Sequence, residues 1–302
     1  MAADRHRHTL DTNALWVDAE RAAALLGPLS LQRPEMGRLG WRQGPHPRRR
    51  AGQGSEFWQY RPLEAGEAVD RVDWRRSGRS DSLYVRTHER ELPARLALWA
   101  DPAPSMDYAS APRAAATRLP EKRQRALVIA AALALAAEEG GEACAALSLA
   151  RPAKARQVLE QLSAEASGTL HSAPLAPGDT VVLLSDFLEP DRIGAIAPLA
   201  SQGAGGVVVH VADPAEADFP FEGRMELVDV TPQAEPRLID ASAQTRARYL
   251  EAWSHHVNAI EGAARTAGWH YLLHRTDTPV QEAVTAIAAL IGGVGVGGGA
   301  RR

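Results

Sequence analysis

A chain of 302 residues is long enough for one large domain or two moderate ones, at ~150 residues per domain. Its 45% hydrophobic and 24% charged residues are those of an ordinary globular protein, which excludes a disordered or a membrane-embedded chain. A net charge of -3 supplies no overall field for nucleic acid, and one cysteine, Cys144, excludes an intramolecular disulfide and points to a reducing compartment, the cytoplasm.

Residues 1–10 carry charge and histidine without a following apolar core, so they do not read as a secretory signal. The stretch 10–31 reads as a short helical or mixed element. Pro34, Gly37, Gly40, Gly44, Pro45 and Pro47 then mark loops, and the run Arg48-Arg49-Arg50 reads as solvated. Residues 1–50 are therefore expected to form a helix and a loop-rich extension. Over 51–92, Phe57, Tyr60, Val69, Val72, Trp74, Leu83, Tyr84 and Val85 stand among charges and turn residues, the pattern of short antiparallel strands in a small β-rich subdomain.

From 93 to 291 brief apolar runs alternate with helical stretches, the pattern of an α/β domain with a mostly parallel sheet flanked by helices. Strands are expected at 95–100, 143–149, 180–185, 206–211 and 269–274, each buried on both faces. Helices are expected at 121–139, 154–165, 192–201, 242–267 and 280–290. The first of these is charged in its opening turns and then almost wholly Ala, Leu and Val, so it packs flat on the sheet. Segments 225–230 and 236–239 read as a pair of short strands or as an excursion before the long helix. The tail 292–302 is a flexible glycine-rich segment. It formally satisfies G-x-G-x-x-G but has no following helix to hold a pyrophosphate, and no stretch qualifies as a transmembrane span.

Ligands of an open parallel sheet bind beyond the carboxyl ends of its strands. Asp101, Asp186 and Asp213 each follow a predicted strand there. Aspartate also caps the next helix, which explains any one of them. Carboxylates sharing a crevice need a proton, a basic residue or a cation between them, and magnesium suits oxygen ligands of this kind, with Ser105 four residues after Asp101 as a helper.

The run Asp101-Pro102-Ala103-Pro104-Ser105-Met106 resembles the D-x-S-x-S metal-adhesion motif of von Willebrand factor A domains, and Leu184-Ser185-Asp186-Phe187 resembles the strand end that supplies their second aspartate. Ala103 replaces the first serine, and no Gly-Gly-Thr-like loop follows residue 149, with Thr117 and Thr169 the nearest threonines. The resemblance thus implies a von Willebrand factor A-like fold with a degenerate metal site of Asp101, Ser105 and Asp186. Gly52 to Phe57, Arg61, Gly66 and Asp70-Arg71-Val72-Asp73-Trp74-Arg75-Arg76-Ser77-Gly78-Arg79 resemble the bacterial family known as domain of unknown function fifty-eight. Later pieces agree, among them Phe219-Pro220-Phe221 and Arg248-Tyr249-Leu250.

If residues 70–75 form a strand, Val72 and Trp74 share one face and Arg71, Asp73 and Arg75 the other. Arg61, Asp70, Arg71, Asp73, Trp74, Arg75, Ser77 and Arg79 are thereby expected either to lock the small subdomain by ion pairs or to bind a partner, arginine being suited to bidentate carboxylate recognition. The chain has no G-x-S-x-G elbow, phosphate loop or H-E-x-x-H pair, and the adjacent His255 and His256 point apart on a helix. The leading reading is a cytoplasmic, non-enzymatic interaction module or adaptor in a chaperone-like or complex-assembly role on a client protein, and the family resemblance implies a MoxR-type AAA+ ATPase as its partner. The alternative is a magnesium-dependent hydrolase of phosphate esters using the Asp101/Asp186 crevice.

Overall fold

The computed structural model describes residues 10–31, 51–62, 77–78, 83–89, 95–110, 119–166, 168–227 and 236–292. The chain divides into two compact units, one made of Met1–Pro34 with Ala94–Arg302, the other of Glu35–Pro93. The larger unit opens with helix α1 (Thr12–Ala23), whose N-terminus is capped by the Asp11 carboxylate accepting from the Asn13 and Ala14 amides. In the smaller unit, β1 (Ala51–Pro62) pairs antiparallel with β2 (Tyr84–Glu89), with register breaks on either side of Phe57. The remainder of the expected 51–92 subdomain, the arginine run and the glycine-rich tail lie outside the described residues.

The larger unit continues with β3 (Arg95–Ala100), α2 (Lys122–Glu139), β4 (Ala143–Ala146), α3 (Ala155–Ala164), β5 (Thr180–Ser185), α4 (Ile196–Ala200), β6 (Gly205–Ala212) and α5 (Pro214–Asp218). The antiparallel pair β7 (Gly223–Leu227) and β8 (Arg237–Ala241) follows, then α6 (Ala243–Thr266), β9 (His270–Arg275) and α7 (Val280–Ile291). Among the described residues five strands pair in parallel in the order β4-β3-β5-β6-β9.

The two-residue period of the strands builds two core layers. Leu96, Leu98, Val182, Leu184, Val207 and Val209 face α1, α2, α3 and α7. Ala97, Trp99, Val181, Leu183 and Val208 face α4 and α6 through Ile196, Leu199, Ile260 and Ala264. Helix α2 is buried along most of its length, in keeping with its alanine-rich sequence, while α7 is buried along one stripe.

Three expectations need correction. Strand β4 ends at Ala146 rather than 149, because the chain turns there and the Leu149 amide donates to the Ala146 carbonyl. The helix expected over 192–201 is regular only from Ile196, and residues 191–195 form turns with the Arg192 side chain drawn beneath the strand ends. Strand β9 is not buried on both faces, since it is a sheet edge and only His274 along it is fully covered.

Gly140, just past α2, allows the 27–31 segment to lie against the helix end. An added Cβ would stand 1.9 Å from the Leu29 carbonyl oxygen, while the Leu29 amide donates to Ala136 O at 2.8 Å. Gly140→Ala is therefore expected to cost about 1–3 kcal/mol, measured as a lowered urea midpoint. An unchanged midpoint would mean that the segment is not held there.

Candidate functional site

The connectivity places the crevice. From β3 the chain moves outward to β4, then returns to the other side of β3 and continues through β5, β6 and β9. The order thus reverses between β3 and β5, where a parallel sheet opens a crevice beyond its carboxyl ends. Asp101 ends β3 and Asp186 ends β5, so both predicted aspartates reach this switch point, and the Asp101 amide donates to Leu184 O at 2.8 Å.

Both carboxylates are buried and engaged. Asp101 Oδ2 accepts from Arg192 Nε at 2.9 Å and from Ser185 Oγ at 2.7 Å. Its Oδ1 accepts from the Ala103 amide at 3.0 Å and from Arg192 Nη2 at 3.3 Å. The guanidinium also donates to Gly168 O and Asp191, and it lies over the Trp99 ring, 5.2 Å from the centroid. Bidentate geometry with a stacked ring is what arginine offers a buried carboxylate.

Asp186 has a different partner. Its Oδ2 accepts from Lys122 Nζ at 2.8 Å and its Oδ1 from the Leu188 amide at 3.1 Å. Lys122 Nζ also donates to Glu216 Oε1 at 2.5 Å and lies 5.8 Å from the Tyr108 ring centroid. Burial alone would pull the lysine pKa down, but the two carboxylates more than reverse this and raise it above the ordinary lysine value. Burial pushes the Glu216 carboxyl above its usual range against the opposing pull of Lys122.

Asp213 is a cap. Its carboxylate accepts from the Ala215 and Ser110 amides at 2.8 Å each, and Glu216 Oε2 accepts from the Asp213 amide. Behind Asp186 the backbone turns sharply: Phe187 has φ 56°, a left-handed conformation that costs a non-glycine residue energy, and its buried ring packs edge-on to His210. His256 Nε2 donates to the Asp186 carbonyl oxygen at 2.8 Å, so that histidine braces the same turn, while His255 is exposed.

A magnesium ion would need free carboxylate oxygens at the switch point. Every oxygen of Asp101 and Asp186 already accepts at least one hydrogen bond, and each carboxylate has its own cation, Arg192 on Asp101 and Lys122 on Asp186. Among the described residues no three His, Cys, Asp or Glu side chains are grouped to hold a metal. Thr169 lies on a separate cavity of about 320 Å³ with Trp99, Ser148 and Glu165. Ser105 Oγ is buried and has no hydrogen-bond partner among the described residues. As folded, these residues do not fit the ion.

Lys122, Arg192, Glu216 and His256 were not singled out by sequence as parts of the site. Lys122 and Glu216 are spread over two helices, and no spacing relates them to Asp186. Of the second predicted group, Ser77 is buried and its Oγ accepts from the Tyr84 amide at 2.8 Å. Arg61 lies on β1, but its side chain, like Asp70, Arg71, Asp73, Trp74, Arg75 and Arg79, lies outside the described residues.

Beside the crevice is a pocket of about 610 Å³, lined among others by Ser105, Tyr108, Glu216, Phe219, Leu227 and Tyr249, with Arg248 also in its wall. Phe219 and Tyr249 stack at 4.6 Å between ring centroids, and Phe221 meets Phe219 edge-on. Leu188 and Leu227, both exposed, also line it. No helix among the described residues is long and apolar enough to cross a membrane.

No curated protein and no solved structure matches the chain. A family model described as protein of unknown function DUF58 matches residues 59–259, which take in the end of β1, the crevice and most of α6, and the chain belongs to that family.

Proposed function

We propose that the chain is a non-enzymatic protein-interaction module of von Willebrand factor A-like architecture, acting in the cytoplasm as an adaptor for a MoxR-type AAA+ ATPase. The observation that carries the reading is the contrast at the switch point. The acidic and basic groups that could do chemistry there are buried and locked to one another, whereas the surface beside them is an open pocket walled by Leu188, Phe219, Leu227 and Tyr249. Exposed apolar surface of this kind marks a docking site, and the exposed Arg248 adds a donor for a partner carboxylate. The ATPase as partner comes from the family resemblance, and the client follows from an adaptor role.

The test is co-purification of the full chain with the candidate ATPase. Retention by wild type, unaffected by a chelator, with loss on Arg248→Glu or Leu188→Asp, is the expected result. Failure of wild type to retain the ATPase rejects that partner, and retention by both variants rejects the pocket as the docking surface. Turnover of phosphate esters that requires added magnesium and vanishes on Asp186→Ala would instead establish the hydrolase reading.

A further inference from the structure

Two carboxylates, at the end of β5 and in α5, converge on a single nitrogen. Lys122 is the first residue of α2, its side chain is fully buried, and its ammonium hydrogen-bonds Asp186 and Glu216 together. An ammonium is a compact and strongly hydrated charge, so complete burial requires that protein oxygens replace its water. The Ser105 hydroxyl, buried and unpartnered among the described residues, lines the pocket that Glu216 also lines. Two carboxylates and a nearby hydroxyl are hard oxygen donors of the kind that hold magnesium or manganese. The charge between them comes from the chain itself.

We infer that Lys122 is a resident cation: its ammonium occupies the position between Asp186 and Glu216 that a divalent metal would take, which makes the crevice independent of metal and closed to it. Arg192 plays the matching part on Asp101, so both carboxylates at the switch point have their own fixed positive partner. Shortening Lys122 to alanine leaves two carboxylates facing the void left by three methylenes and the ammonium. Their mutual repulsion then favours uptake of a cation from solution. A chain whose cation is covalently attached holds this turn in one state whatever the metal supply, and its surface does not respond to magnesium.

The experiment titrates Mn²⁺ into the full chain, followed by calorimetry and by the manganese electron-spin resonance signal. Wild type is expected to bind no Mn²⁺ at the crevice. Lys122→Ala is expected to bind it and to unfold at a higher temperature in its presence. Adding Asp186→Asn should abolish that binding, and Lys122→Arg, which keeps a positive charge beside the carboxylates, should gain none. Manganese binding by wild type that Asp186→Asn removes overturns the inference, as does a folded Lys122→Ala that gains no binding. Should Lys122→Ala be insoluble when made without metal, recovery of soluble protein on production with Mn²⁺ supports the inference, and equal insolubility with the metal overturns it.

Discussion

Asp101→Ala is expected to lower the stability of the larger unit by about 3–5 kcal/mol, the usual cost of leaving one member of a buried ion pair alone. For a domain of this size that is a fall in melting temperature of ~10 °C. The loss reaches beyond one interaction. Arg192 keeps Gly168 O and the half-exposed Asp191, but its Nε and the Ser185 hydroxyl both lose their acceptor inside the protein. The paired substitution Asp101→Leu with Arg192→Met removes both charges and should recover most of the loss, because buried ion pairs exchange for apolar side chains at little net cost. Removing the exposed carboxylate of Asp18, which pairs with Arg21 on α1, should leave the midpoint where it was. Urea midpoints of the four proteins decide the matter: an Asp101→Ala variant within about 1 kcal/mol of wild type would show that the pair is not stabilising the switch point.

A second large effect is expected on acidification. Burial, helped by the neighbouring His256, pulls the His210 pKa down to about 3, with Asp186 opposing. Burial, helped by Arg125, brings His274 to about 4. The unfolded chain binds these protons near pH 6.5. Above that pH both histidines are neutral in both states and contribute no pH dependence. As the pH falls below it, the unfolded chain takes up protons that the folded chain refuses, so stability is lost. Each histidine removes about 2 kcal/mol between pH 7 and pH 5. His210→Gln should cut the slope of stability against pH by about half over that range, and the imidazole resonance of His210 in wild type should not titrate above pH 5. Equal stability at pH 5 and pH 7 would show that neither ring is held neutral.

The parallel strands were legible because a strand buried on both faces is written as an unbroken apolar run, as in Val181 to Leu184 and Val207 to Val209, and because Asp101 and Asp186 stand directly after two such runs. Asp213 follows the same rule but serves as a helix cap, the role that an aspartate after a strand equally suits. The cations were not legible. Lys122 lies in the charged opening of α2, among Glu121, Arg123 and Arg125, where a lysine ordinarily faces water. Only the approach of α2 and α5 to the end of β5 makes it a core residue. Arg192 was hidden differently: it falls inside apparent helix periodicity, and the turn over 191–195 that sends its side chain to Asp101 has no local signature beyond Gly194. Half-exposed β9 likewise reads as a buried strand, because Tyr271 and Leu272 suit an edge as well as a centre.

The seating of α1 also governs the order of folding during synthesis. Its apolar side, Leu15, Ala19, Ala22 and Ala23, is covered by α2, α3 and α7, and the segment after it ends in a bridge from Leu31 to Gly292. At roughly 5–20 residues per second, α7 leaves the ribosome on the order of ten seconds or more after α1. The docking of α1 is thus completed only once α7 has emerged: α2 and α3, made earlier, can already cover part of its greasy stripe, and the part that α7 covers stays open over that interval.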